Sequence, residues 1–141
     1  MGSQSETSRY AKGFDLPVRG DTITADRYIS REFMDRENQL LWPKVWHLGG
    51  MVAEIEQEGD YVRHNLGKES VIMVGQADGS IKAFYNSCPH RGNRLVLGDI
   101  GGSDRITCGY HGWQFSPDGM LVNVQDPDDF PGGNPCGKVT L

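Results

Sequence analysis

Residues 88–92 read Cys-Pro-His-Arg-Gly, and residues 108–112 read Cys-Gly-Tyr-His-Gly. The pattern is C-x-H, then seventeen residues (91–107), then C-x-x-H. Each Cys/His pair follows a strand-like run and closes on a glycine. Two such loops side by side would bring two thiolates and two imidazoles round one place. Buried cysteine often only packs, but packing does not call for two Cys/His pairs of such short spacing. A tetrahedral zinc would accept two cysteines and two histidines. Zinc modules, however, usually pair like with like, as C-x₂₋₄-C and H-x₃₋₅-H, and each loop here is mixed. Mixed loops suit two metals: if Cys88 and Cys108 bind one iron and His90 and His111 the other, each loop offers one ligand to each.

Outward from the loops the period is two. Tyr61 to Leu66 alternates, with Val62, His64 and Leu66 on one face and Tyr61, Arg63 and Asn65 on the other. Glu69 to Gly75 is rich in β-branched residues, and Ile81 to Ser87 alternates again. Asp78-Gly79 between these two runs is a hairpin signal. Arg105 to Cys108, Trp113 to Ser116 and Met120 to Asn123 read as three more short strands, the last two joined by Pro117-Asp118-Gly119. Nineteen of the 141 residues are glycine, nearly twice the usual ~7%. Short strands and many glycine turns predict a mainly β, antiparallel domain, sandwich-like or a small barrel. The segment from Asp126 to Pro135, broken by proline and glycine, predicts a surface loop.

Before the strands, the spacing predicts a helix over about Arg31 to Leu41. Ser30 can cap its free amides, and Glu32 suits the first turn's dipole. Phe33, Met34, Leu40, Leu41 and Val45 fall near one face, which predicts a buried stripe. Pro43 turns Trp42 away from helical angles and ends the helix. Residues 1 to about 29 are polar and without a sustained period, and read as an arm.

Composition narrows the function. The net charge is −5, and no basic stripe exists to displace counterions from nucleic acid. The longest unbroken aliphatic run is Val71 to Val74, far short of the about 20 residues of a membrane span. Three cysteines, an odd number without an export signal, argue for ligands or packing rather than a disulfide framework, and for the cytoplasm.

CPHRG (88–92) with CGYHGWQF (108–115) resembles the Rieske domain of ring-hydroxylating oxygenases, in particular their large α subunit. The likeness runs from about Glu32, through WHLGG (46–50), GDYV (59–62) and DGSIKAFYNSCPHRG (78–92), to the end of the chain. It implies a [2Fe–2S] cluster with Cys88, His90, Cys108 and His111 as ligands, at the tip of two loops on three small antiparallel sheets. It also implies an organisation of arm (1–29), N-terminal helix (30–45) and Rieske domain (46–141). A reductase or ferredoxin would supply electrons one at a time. They would pass to a mononuclear non-haem iron of a neighbouring α subunit in a trimer, where dioxygen is activated to oxidise an aromatic or similar apolar substrate. In the family that Fe(II) site of two histidines and a carboxylate follows the Rieske motif. His47 and His64 precede it, so no catalytic residue is assigned here. The chain therefore reads as a fragment without the catalytic domain, its last strand near Lys138 to Leu141 incomplete and an edge left exposed. A free-standing Rieske ferredoxin is the alternative reading, and a structural zinc module a more distant one; the arm, the helix and the loop wording suit the oxygenase better.

The likeness also bears on potential. Respiratory-type Rieske proteins carry an extra cysteine in each loop and donate hydroxyls to the cluster. Asn93 and Tyr110 stand at the first pair of places, and Trp113 and Phe115 at the second. Fewer donors to sulfur predict a potential near the low end of the range from about −150 to +300 mV. Arg91, Tyr110 and Trp113 are candidate surroundings of the cluster, with Arg94 beside the first loop. His47 and His64 read as packing or surface histidines, and Cys136 as a free thiol.

Overall fold

The computed structural model describes residues 20 and 22–141. The chain divides into two units between Asp35 and Arg36. The arm expected over 1–29 falls mostly outside the described residues. Within it, Asp26–Ile29 forms a short helix, α1, which the weak local pattern did not announce. Arg31–Leu40 forms α2. Ser30 caps it as expected, its hydroxyl accepting the Phe33 N–H at 3.2 Å. In the first unit the Arg27 guanidinium lies over the Phe33 ring at 5.9 Å.

The apolar stripe of α2 is not buried: no residue of the helix is, and Leu40 at its end and Leu41 and Val45 beyond it are exposed. The core is built entirely by strands and loops of the second unit, so helical periodicity here marks an apolar face without placing it in the core. Pro43 does end the helix, and Trp42–Lys44 continue as a single 3₁₀ turn.

The second unit carries seven strands: β1 Asp60–Leu66, β2 Glu69–Gly75, β3 Ile81–Tyr85, β4 Ile100–Gly102, β5 Ile106–Thr107, β6 Gln114–Phe115 and β7 Leu121–Asn123. All pairings between them are antiparallel. They make a four-stranded sheet in the order β3-β2-β1-β4 and a three-stranded sheet in the order β5-β6-β7. Two sheets are thus present among the described residues where the family likeness implied three.

β4 was not expected, because Ile100-Gly101-Gly102 reads as a turn. It pairs with β1 because glycine leaves room there: a Cβ on Gly101 would lie 2.6 Å from the Tyr61 hydroxyl. The last described residues fold back along β7, which is already paired with β6 on its other side. Met120 bridges Thr140, Leu121 N–H donates to the Val139 carbonyl, and Leu141 N–H donates to the Gly119 carbonyl, each at 2.9 Å.

Pairing of β1 with β2 puts Ile72 and Val74 on one face, and both are fully buried. They join Ile106, Phe115 and Leu121 from the other sheet, and Trp113 and Val124 beside its strands, in a single core that also contains Cys88, Leu95 and Cys108. Burying each large side chain contributes roughly 1.5–3 kcal/mol. The Pro117-Asp118-Gly119 hairpin is pinned to the first sheet by Gln76 Nε2, which donates to the Pro117 carbonyl at 2.9 Å. No helix among the described residues is long and apolar enough to cross a membrane.

Candidate metal centre

The two Cys/His loops are built alike. In the first, Cys88 N–H donates to the Asn93 carbonyl and Gly92 N–H to the Cys88 carbonyl, both at 2.8 Å. In the second, Cys108 N–H donates to the Trp113 carbonyl at 2.8 Å and Gly112 N–H to the Cys108 carbonyl at 3.0 Å. Both closures need a left-handed residue, and Gly92 (φ 71°) and Gly112 (φ 68°) supply it. The turn aims backbone amides at the sulfur. Cys88 Sγ accepts from the N–H groups of His90 and Arg91, and Cys108 Sγ from those of Tyr110 and His111. The histidine is the second residue after cysteine in one loop and the third in the other, so two equivalent turns bring the rings in from different angles.

Each loop has a firm stem. The second grows from the β5–β6 hairpin, with Thr107 opposite Gln114. The first is held by Asn86, a buried residue that the sequence reading passed over. Its Oδ1 accepts the N–H groups of Leu95 and Val96, both at 2.9 Å. Its Nδ2 donates to the Val96 carbonyl at 2.8 Å and the Ser70 hydroxyl at 3.2 Å. One side chain thereby joins the segment entering the loop to the segment leaving it. The position of Asn86, two residues before the cysteine, was the only available sign.

The four candidate ligands come together as two pairs. Cys88 and Cys108 are each only 2% exposed, and their sulfurs are in hydrogen-bond contact. The His90 and His111 rings are half-buried, meet edge to face, and have centroids 4.6 Å apart. No three His, Cys, Asp or Glu side chains among the described residues converge as ligands of one ion. A single tetrahedral zinc needs four donors round one point; a dinuclear cluster needs two protein donors per iron, which is the grouping seen.

The electrostatics suit that grouping. Burial pushes the Cys88 thiol above its ordinary range, with the Cys108 sulfur adding to the rise. Burial acts upward on Cys108 too, but donors outweigh it: the Tyr110 N–H, the Cys88 thiol, the His111 N–H and the Asn93 amide. Burial, then the nearby His111 and Arg91, holds His90 below the usual imidazole range. Neutral imidazole is the form that binds a metal. His90 Nδ1 is buried without a hydrogen-bond partner, and a buried nitrogen left unpaired in this way fits a metal ligand.

Aromatic rings enclose the pair. Trp113, from the second loop, is stacked on His90 of the first, and Tyr110 lies 3.8 Å from His111, centroid to centroid. Tyr110 is 58% exposed, whereas Trp113 is buried. Arg91 and Arg94 are exposed. The His47 and His64 rings lie close to each other, with centroids 6.0 Å apart. Cys136 is a free thiol, half-buried against the core.

The chain belongs to the Rieske [2Fe-2S] domain family, whose match covers residues 45–132. Membership implies a [2Fe–2S] cluster, and the donor set fits it. Among similar proteins is the chlorobenzene dioxygenase subunit alpha of Cupriavidus sp. (strain PS12), 37% identical over 105 residues, 74% of this chain and 23% of that one. The carnitine monooxygenase oxygenase subunit of Escherichia coli (strain K12) is 34% identical over 110 residues, 78% of this chain and 29% of that one. Among solved structures, naphthalene 1,2-dioxygenase from Rhodococcus sp. bound to indole superposes with a TM-score of 0.71 at 30% identity, over 79% of this chain and 25% of that one. The chain thus spans about a quarter of the length of the relatives it matches.

Proposed function

We propose that this chain is the electron-transfer domain of a Rieske oxygenase α subunit, with Cys88 and Cys108 holding one iron of a [2Fe–2S] cluster and His90 and His111 the other. The observation that carries the reading is the pair of like-built loops that present two buried thiols as one pair and two imidazoles as the other. When bound, the cluster takes up one electron at a time and gives it back.

The chain's own residues set the conditions. Four backbone amides donate to the two sulfurs, which favours thiolate and offsets negative charge. Core burial keeps water from the thiols, while the imidazoles sit at the outer edge of the centre. Gly92 and Gly112 let the backbone close tightly enough for those amides to reach sulfur. The protein's part is to orient ligands and tune potential.

The finer reading extends to the whole enzyme. A reductase or ferredoxin supplies the electron, and a mononuclear iron elsewhere in an assembly of α subunits uses it to activate dioxygen. Relatives named as dioxygenase and monooxygenase subunits support this class of reaction. Titration of the purified chain with dithionite tests it. We expect bleaching complete at one electron per chain and no oxidation of an aromatic substrate by this chain alone. Uptake of no electron, or substrate turnover by the chain itself, would contradict the reading.

A further inference from the structure

Asn93 closes the first loop and touches both cysteines. Its carbonyl accepts the Cys88 N–H at 2.8 Å. Its side-chain amide has two hydrogens to place. Nδ2 donates to the Arg94 carbonyl at 2.9 Å, and across the gap to Cys108 Sγ at 3.8 Å. The second contact is long, as bonds to the large sulfur atom are, and it joins the two loops. The loops are otherwise alike, so the difference is informative. Trp113 fills the place of Asn93 in the second loop, and its carbonyl accepts the Cys108 N–H. Its side chain turns to His90 instead, stacking on that ring. Among the described residues, Cys108 receives a side-chain amide from the opposite loop and Cys88 does not.

We propose that Asn93 is a positioning residue that ties the two ligand loops together and raises the reduction potential of the centre by donating to the Cys108 sulfur. The inference rests on the cluster reading above. Adding one electron makes the thiolate sulfurs more negative, and a donor aimed at sulfur stabilises that state over the oxidised one. No bond is made or broken, and the electron comes from dithionite in the test. Asn93 is exposed, so its substitution leaves the core intact.

The test is the midpoint potential of the full chain and of Asn93→Leu and Asn93→Asp, titrated with dithionite and followed by EPR, with iron and sulfide assayed on each sample. Leucine keeps the volume and removes the donor. Aspartate keeps the shape and sets an acceptor against sulfur. We expect normal iron and sulfide in both variants. For leucine the reduction equilibrium shifts threefold to tenfold toward the oxidised form, about 30–60 mV downward at 59 mV per tenfold for one electron. Aspartate falls further. Should the leucine chain lose its iron, Asn93→Ala takes its place. Equal midpoints in all chains would overturn the proposal. A fall with aspartate alone would also overturn it, because charge and not a hydrogen bond would be acting. A parent chain without a reducible iron–sulfur signal would overturn the cluster reading itself, which separates that failure from this one.

Discussion

The Trp113 indole lies parallel to the His90 imidazole, with 3° between the planes and 4.8 Å between the centroids. Trp113 belongs to the second loop and His90 to the first, so a candidate ligand of one loop is held by its neighbour. Phe130 packs edge to face on the same indole at 6.0 Å. The ring that orients His90 is thus itself fixed in the core, and the direction of His90 rests on buried packing.

Replacing Trp113 tests that dependence. Removing a buried tryptophan side chain costs about 3–5 kcal/mol of stability. We expect Trp113→Ala to melt at lower temperature and to lose iron to a chelator at least tenfold faster, and Trp113→Phe to recover most of both. Thermal melts and chelator kinetics on the three chains check it. Equal iron loss in all three would show that the stack does not hold His90.

The three cysteines have different roles. Cys88 and Cys108 are buried beside the imidazoles, and Cys136 packs against the core. We expect Cys88→Ala and Cys108→Ala to purify without sulfide or visible colour, and Cys136→Ser to retain both. Iron and sulfide assays decide.

Asn86 provides a second structural test. Asn86→Ala strips the partners from the Leu95 and Val96 N–H groups, each costing about 1–3 kcal/mol when buried and unpaired. We expect a loss of about 3 kcal/mol in urea unfolding and faster release of iron, because the first loop's stem opens. A change below ~0.5 kcal/mol would be the size of an ordinary surface substitution and would contradict the role given to Asn86.

Acid acts on the turns. Asp78 accepts from the hydroxyl and the N–H of Ser80, and these bonds hold its carboxyl below the ordinary range. The Ser116 hydroxyl and the Met120 N–H do the same for Asp118. Carboxylates with folded pKa values below their unfolded values stabilise the fold above the unfolded value, ~3.9. That contribution is lost as pH falls through the folded values. We expect the melting temperature to drop between pH 5 and pH 3, and the drop to be smaller in the Asp78→Asn, Asp118→Asn double variant. Parallel curves would show that these turns contribute nothing to the pH dependence.

Much of this was legible in the sequence because it is local. Glu69–Gly75 is rich in β-branched residues and forms β2 with the expected bounds. Asp78-Gly79 and Pro117-Asp118-Gly119 turn where their residue types require, with Gly79 and Gly119 at positive φ. The four candidate ligands were legible too, since each pair lies within one turn of the chain. What escaped depends on residues meeting across the fold. Gly101 pairs in a sheet only because Tyr61 needs the space. The Asn93 bond to Cys108 and the Trp113 stack on His90 join different loops, and no spacing rule announces them. The stripe of α2 misled because periodicity reports an apolar face and not what covers it.

The most direct test of the central claim is an EPR spectrum of the purified chain before and after reduction, with iron, sulfide and zinc assayed on the same sample. The account predicts two irons and two sulfides per chain, silence when oxidised, and, on one-electron reduction, a signal whose average g lies below that of an all-cysteine cluster. A colourless chain with one zinc and no sulfide would contradict it.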